Sequence, residues 1–255
     1  HDATTHQTVL SGAGETHLSV AIARIERLGV EVESEPPRVA YREALARPIE
    51  VQGKYKKQTG GHGQFGIATV RFEPLPRGSG FEFGNEVTGG AIPKGLIPAV
   101  GAGVQEAMAR GGVHGFPVVD LRAVCLDGRH HSVDSSEMSF KMAGSLAMRV
   151  ALEQAGTVVL EPISELRVQA PVQYQGDVLG DLSSRRGQVL GTEHDDTGTG
   201  VTIRALVPTS EIQRYAIDLR SMTAGTGGFD VAHHDYRPVP ETELGRVVKE
   251  ASASS

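Results

Sequence analysis

Two segments are most informative about the fold of this chain: Lys54-Tyr-Lys-Lys-Gln-Thr-Gly-Gly-His-Gly-Gln-Phe-Gly66 and His130-His-Ser-Val-Asp-Ser-Ser-Glu137. The first joins a basic stretch to a glycine-rich loop, which is typical of a connection between two strands. Glycines allow tight turns and let the backbone approach another molecule without a side-chain clash. The second places two histidines before a helix. Asp134, with Glu137 three positions on, fits a capping box and predicts a helix beginning there.

Length and composition indicate a globular protein of more than one domain. The chain has 255 residues, more than one average domain, and its 39% hydrophobic and 22% charged residues are ordinary for a soluble protein. Cys125 is the single cysteine, which excludes an internal disulfide and fits a reducing cytosol. The start has neither a basic nor an apolar signal-peptide region, and no apolar run is long enough for a membrane helix. We therefore expect a cytoplasmic protein without a membrane partner.

The charge pattern argues against non-specific coating of nucleic acid. The formal net charge is −6, whereas such binding neutralises many phosphates with basic side chains. Any RNA contact must then come from a local basic patch. Lys54, Lys56 and Lys57 form one, because no acidic residue occurs between Gly53 and Phe72. The alternative is that these lysines are a solvated strand end.

The pattern of apolar residues predicts three successive units. Residues 1–36 are predicted to be an incomplete β–α–β unit, with strands over 7–15 and 30–33 and a helix between them that ends at Gly29. Residues 37–160 are predicted to hold two helices, one after Pro93 and one near Asp134. The strands of this unit are expected at 39–52, 66–75, 81–87 and 117–126, the last followed by an Asp127-Gly128 turn.

The third unit, residues 161–250, has the complete order β–α–β–β–α–β. Its strands are predicted at 166–172, 188–194, 201–207 and 229–236, and its first helix at 176–186. The second helix is predicted to start at a Ser210-Glu-Ile-Gln213 capping box and to end at Gly225. This order is typical of a ferredoxin-like split β–α–β sandwich, here with a C-terminal helix. The predicted fold class is α+β, and residues 251–255 are predicted to be a disordered tail.

Several ordered segments resemble bacterial elongation factor G. Gly12-Ala-Gly-Glu-Thr-His-Leu18 is similar to a segment of its domain III, and Pro37-Arg-Val-Ala-Tyr-Arg-Glu43 to its entry into domain IV. Gly176-Asp-Val-Leu-Gly-Asp-Leu-Ser183 and Arg185-Arg-Gly187 are similar to the first helix of its domain V. The resemblance implies part of domain III at 1–36, an elongated domain IV of the ribosomal-protein-like split β–α–β type at 37–160, and domain V at 161–250.

The resemblance also implies a function and a set of contacts. In that family, domain IV enters the small-subunit decoding centre behind the moving tRNA and mRNA, and domain V contacts the large subunit near the stalk base. The implied function is GTP-dependent translocation, with GTP and Mg expected in an upstream domain of the full-length parent and no catalysis or cofactor in this chain. His131 corresponds to the family's tip histidine. The implied RNA-binding and ribosome-binding residues are Lys54, Lys56, Lys57, Gly60, Gly61, His62, Gly63, Gln64, Arg129, His130, His131, Arg185 and Arg186.

Departures from the family pattern favour an elongation factor G-like paralogue. His62 and Ser184 stand where the family often has arginine, His130 stands where an aromatic residue usually precedes the tip histidine, and Ala13 replaces a methionine. A ribosome-recycling or ribosome-protection GTPase of the same superfamily is the first alternative. A stand-alone RNA-binding module is a more distant one.

Catalytic and metal-binding interpretations are weaker. A hydrolase would use His130, His131, Asp134 and Ser135, but a nucleophile, a base and an orienting group seldom lie so close in sequence. A metal site at His130/His131 or His233/His234 is disfavoured because adjacent residues of a strand point to opposite faces. No phosphate-binding G-x-x-x-x-G-K-[ST] sequence occurs in the chain.

Overall fold

The computed structural model describes residues 7–10, 12, 14–58 and 63–253. The chain divides into two compact units. In chain order, the helices and strands are α1 (Glu15–Glu26), β1 (Arg42–Leu45), β2 (Ile49–Lys57), β3 (Gln64–Pro74), β4 (Phe81–Asn85), α2 (Ile97–Arg110), β5 (Leu121–Arg129), α3 (Glu137–Ala155), β6 (Thr157–Pro171), α4 (Gln175–Ser184), β7 (Gln188–His194), β8 (Gly200–Pro208), α5 (Tyr215–Met222), β9 (Gly228–Pro238) and α6 (Glu241–Ala253). The mixed helix and strand content confirms the α+β class.

The central unit, Tyr41–Leu160 with Pro238–Ala253, is built on a four-stranded sheet. Its strand order is β2-β3-β5-β4. The pairs β2/β3 and β3/β5 are antiparallel, and β4/β5 is parallel with α2 as the crossover. Phe72, Phe140 and Met148 are fully buried between the sheet and the helices. In the same unit, β1 pairs with residues 157–160 of β6.

Glycines let α3 lie directly against the backbone of its neighbours. A Cβ on Gly66 would stand 2.8 Å from Ser139 O, and one on Gly53 would overlap Ala143 O. Gly144 lies against Val100 of α2 in the same way. These glycines therefore serve close packing, and Gly66 belongs to β3, which begins two residues before the strand predicted at 66–75.

The ferredoxin-like unit contains Glu161–Arg237 together with the part of the chain up to Ala40. Its sheet order is β7-β8-β6-β9, and residues 163–171 of β6 pair antiparallel with β8. Val178 and Leu182 of α4, with Tyr215 and Leu219 of α5, are buried against the apolar residues of β6 and β8. The order β6-α4-β7-β8-α5-β9 and this sheet confirm the ferredoxin-like fold.

Several predicted local features are not formed. No strand forms at residues 30–33 or in the described part of 7–15, because no described strand lies beside them to pair with. Of the predicted β–α–β unit, only the helix α1 is formed. Asp127 and Gly128 are not a turn, because both pair with β3 inside β5. A register shift between Thr69 and Val70 accommodates one extra residue of β5 there.

Both predicted capping boxes are wrong. Ser136 caps α3, with its side chain accepting a hydrogen bond from Ser139 N, while Asp134 makes other contacts described below. A 3-10 turn occupies Thr209–Ile212, and α5 begins after it with Arg214 at the N-cap. The C-terminal end also differs from the disordered tail predicted at 251–255. Helix α6 continues to Ala253, and residues 254–255 lie outside the described part. No helix among the described residues is long and apolar enough to cross a membrane.

Candidate RNA-binding interface

The strand register places three cations on one face of the central sheet. Lys54 pairs with Ile67, and Ile67 pairs with Arg129, so these residues form one row across β2, β3 and β5. Lys56 pairs with Phe65 in the next row. Directly opposed residues share a face of a sheet, and the alternate residues of β2 pack on α3. Lys54, Lys56 and Arg129 therefore project from the face opposite α3.

These cations are exposed and have no carboxylate partner within the described residues. Lys57, the last residue of β2, is added to the three, so the exposed cations at this end of the sheet are Lys54, Lys56, Lys57 and Arg129. Lys56 places its Nζ 5.3 Å from the centre of the Phe65 ring, which is a cation–π contact. By contrast, Arg71 of β3 is held by Glu73 and Glu86 at 2.9 and 3.1 Å. Unpaired positive charge is therefore concentrated at one end of this sheet, which is the pattern expected for a phosphate-binding surface.

Two connections meet at the same end, and we call their described residues the tip loops: Gln58 and Gly63 of the first, and residues 130–136 of the second. Asp134 Oδ1 accepts a hydrogen bond from Gly63 N at 3.0 Å, and Asp134 O accepts one from Phe65 N at 2.8 Å. The Ser135 hydroxyl donates to Phe65 O at 2.7 Å and accepts from His131 N at 2.8 Å. The structure thus brings together parts of the two segments that the sequence singled out.

The two histidines have different surroundings. His131 is half exposed, with a side-chain exposure of 56%, and its Nδ1 lies 3.3 Å from Asp134 Oδ2. Its ring meets Phe65 edge-on at a centroid distance of 6.4 Å. His130 lies 3.1 Å from Ala91 O through its Nδ1. Nε2 of His131 is therefore the ring nitrogen that is not directed at Asp134.

The other predicted tip residues are only partly described. Gly60, Gly61 and His62 lie outside the described residues. Gly63 approaches Asp134 so closely that a Cβ would lie 3.1 Å from its carboxyl carbon. Gln64 is exposed at the start of β3, and its Oε1 accepts a hydrogen bond from the Tyr55 hydroxyl at 2.8 Å.

The geometry does not form a hydrolytic triad. The Ser135 hydroxyl donates its hydrogen to Phe65 O, whereas a nucleophile would donate to the His131 ring. No group of three or more His, Cys, Asp or Glu side chains suitable for a metal ion occurs in the part of the chain that the structure describes.

Two family models match the chain, one after the other. The model of elongation factor G domain IV matches residues 37–156, and the model of the elongation factor G C-terminus matches residues 158–247. This chain belongs to the elongation factor G family. Its fold is also similar to the crystal structure of a protein from Thermus thermophilus, with a TM-score of 0.89 and 41% sequence identity.

The match to that Thermus thermophilus protein covers 98% of this chain but 37% of the other. The chain thus corresponds to a C-terminal portion of an elongation factor G-like protein, and the unpaired cations and tip loops fall in domain IV. Neither matching family model describes a GTPase domain.

In the elongation factor G C-terminal region, the two predicted arginines are engaged inside the fold. Arg185 binds Asp181 through Nε at 2.8 Å and Asp218 through Nη2 at 2.8 Å. Arg186 binds the buried Glu161 through two hydrogen bonds of 2.7 and 2.9 Å. Hydrogen bonds donated to these carboxylates raise the pKa of both guanidinium groups. Any phosphate would have to compete with these internal partners.

Two residues that shape the domain IV tip, Phe65 and Ser135, are not among the RNA-binding residues predicted from the sequence, where Ser135 belongs only to the weaker hydrolase interpretation. Phe65 contacts Lys56 and His131, and Ser135 connects Phe65 to the second tip loop. Phe65 could have been found from the sequence, because it is an aromatic residue within a basic and glycine-rich segment. The role of Ser135 could not, since it depends on the Phe65 carbonyl, which lies 70 residues away in the chain.

Proposed function

We propose that this chain is the ribosome-contacting portion of an elongation factor G-like translational GTPase that moves tRNA and mRNA through the ribosome. In this proposal, the domain IV tip enters the small-subunit decoding centre and the ferredoxin-like unit contacts the large subunit near the stalk base. GTP and Mg would bind a domain of the full-length parent that lies upstream of this chain. The departures at His62 and His130 favour a paralogue of the housekeeping factor.

One observation carries the proposal: unpaired cations, an aromatic ring that one of them contacts and a half-exposed histidine lie at the same end of domain IV. The chain as a whole is acidic, with 31 Asp and Glu against 25 Lys and Arg. RNA phosphates would therefore be attracted to this surface rather than to the protein in general. Imidazole and phenyl rings also stack on unpaired nucleotides, and irregular or single-stranded RNA provides these.

The charges of the ferredoxin-like unit provide less support for an RNA contact. The guanidinium groups of Arg185 and Arg186 already donate to carboxylates of the same unit. If these residues contact large-subunit RNA, they would do so through the N–H groups that remain. We therefore assign the main electrostatic contribution to domain IV.

A toeprint assay on pre-translocation ribosomes, with the full-length parent and GTP, tests the proposal. We expect a forward shift of one codon, and we expect His131→Ala to slow it. Binding without a shift would contradict translocation and favour the recycling or protection alternative. Salt-dependent binding to bare RNA without ribosome binding would instead favour the stand-alone RNA-binding module.

The contribution of the cations is measured separately through the salt dependence of ribosome binding. Lys54→Gln, Lys56→Gln and Arg129→Gln should each weaken binding and reduce the slope of log K against log salt by about 0.7–0.9, the value for one lost phosphate contact. The matched control is Lys249→Gln, an exposed lysine of α6 in the same unit. An equal effect of the control would show that net charge, and not this surface, controls binding.

A further inference from the structure

Asp134 and Ser135 join the two tip loops through hydrogen bonds at both main-chain and side-chain atoms. Asp134 receives N–H groups from Gly63 and Phe65, one on its carboxylate and one on its carbonyl oxygen. Ser135 donates to the Phe65 carbonyl and accepts from the His131 N–H. Two adjacent residues thus hold the end of the glycine-rich loop, the start of β3 and the backbone of His131.

Asp134 also orients the His131 ring, together with the Val133 N–H, which lies 3.4 Å from Nδ1. The same Nδ1 lies 3.3 Å from Asp134 Oδ2 and 3.3 Å from Asp134 N. With a hydrogen on Nδ1 the ring donates to the carboxylate, and without it the ring accepts from the backbone N–H. In both forms Nδ1 is directed towards Asp134, so that Nε2 is presented away from it.

Helix capping does not explain these contacts. Ser136 is the N-cap of α3 and accepts from Ser139 N at 3.3 Å, so the helix start has its own partner. The Asp134 carboxylate, whose side chain is 29% exposed, is directed at Gly63 and His131. Its contacts therefore serve the arrangement of the tip loops.

We propose that Asp134 and Ser135 are positioning residues, which hold Gly63, the start of β3 and His131 in the arrangement that contacts RNA. This inference rests on the proposed function. Loops that are ordered before binding lose less conformational entropy when the complex forms, so fixing them increases affinity without an additional contact. Neither residue needs to touch RNA for this effect.

Solution NMR of the full chain tests the positioning role without the ribosome. Asp134→Ala should increase the amide exchange rate at Gly63 by about 5- to 10-fold, the loss expected for one ordinary hydrogen bond. It should also shift the His131 ring signals. Asp134→Asn keeps an oxygen for Gly63 N but removes the charge beside the ring, and should move the ring signals alone. Unchanged exchange and ring signals in Asp134→Ala would overturn the proposal.

The matched control is Asp127→Ala, which removes the same charge from an exposed residue of β5. It should leave both the Gly63 exchange rate and the His131 signals unchanged. The melting temperature of each variant is measured in parallel. A general loss of stability would accelerate exchange throughout α3 and β3, whereas loss of positioning affects the tip loops only.

Translocation by the full-length parent tests the functional consequence. Asp134→Ala, Ser135→Ala and His131→Ala should each slow the toeprint shift. In the His131→Ala background Asp134→Ala should slow it by a smaller factor than in the unaltered protein, because one of the two elements that Asp134 holds is then absent. Effects that multiply in the double variant would show independent roles and overturn the proposal. If the NMR changes occur while none of the variants alters ribosome binding or translocation, the positioning of the loops stands and the proposed function is wrong.

Discussion

Arg186 offers the sharpest distinction between an RNA contact and a structural ion pair. Its guanidinium binds both oxygens of Glu161, whose side chain is 4% exposed, whereas the side chain of Arg186 is 27% exposed. Arg186→Ala would leave the Glu161 carboxylate buried without a counter-charge. Alanine keeps a Cβ, so the unfavourable φ of 60° at this position is the same in both proteins.

The expected loss of stability in Arg186→Ala follows from the burial of Glu161. Removing one partner of a buried ion pair costs about 3–5 kcal/mol. Water can approach from the side of the partly exposed arginine, so we expect the lower end, about 3 kcal/mol. For a unit of about one hundred residues this corresponds to a fall of roughly 12 °C or more in melting temperature.

Urea unfolding followed by circular dichroism measures the structural role of Arg186. Ribosome binding by the full-length parent measures its role as an RNA contact. The control is Arg167→Ala, an exposed arginine of β6 for which no ion pair is found among the described residues, and it should change the free energy of unfolding by less than about 0.5 kcal/mol. Glu161→Leu/Arg186→Met should recover most of the lost stability. Unchanged stability with weakened ribosome binding in Arg186→Ala would refute the structural role.

Two further predictions concern the core of the central unit. Gly53→Ala should destabilise it by at least about 1–3 kcal/mol in urea unfolding, because the new Cβ overlaps Ala143 O. The control is Gly180→Ala in α4, where a Cβ meets nothing within 4 Å, and it should be neutral or stabilising by up to about 1 kcal/mol. Equal effects of the two changes would contradict the close-packing argument. Burial raises the pKa of Cys125 to about 11, so the native thiol should resist thiol reagents at pH 8. The unfolded thiol ionises near pH 8.5, so the unfolded state is favoured as pH rises from 8.5 through 11. Over this range the free energy of unfolding of the unaltered protein should fall by about 2–3 kcal/mol compared with that of Cys125→Ala. A difference between the two proteins that does not change with pH would contradict the burial effect.

The parts of the fold that depend on short-range pattern are predictable from sequence. The β7–β8 hairpin forms where apolar alternation surrounds the glycine-containing segment between residues 195 and 200. The sequence permits two N-caps for α3, Asp134 and Ser136, and the capping-box pattern favours Asp134, which is wrong. The choice between them depends on Gly63, which lies 71 residues away in the chain and donates to the Asp134 carboxylate.

The candidate site shows the same limit. The basic segment and the histidines could be identified from residue type alone, and the register then places Lys54 and Arg129 on one face. Arg185 and Arg186 have the same charge as those residues, but their partners lie up to 33 residues away and are not visible in a sequence pattern. Residue type indicates which cations are present, whereas the fold determines which of them remain unpaired.

The backbone contacts of α3 have a mechanical consequence. The helix begins at Glu137, next to the tip loops, and its 19 residues extend for about 28 Å to Ala155. Its main chain touches that of β2 at Gly53 and that of α2 at Gly144, without flexible side chains between them. A load applied at the tip would therefore pass from α3 to β2 and α2 through main-chain contacts instead of being absorbed by side-chain rearrangement. Domain IV would then resist bending next to the tip loops.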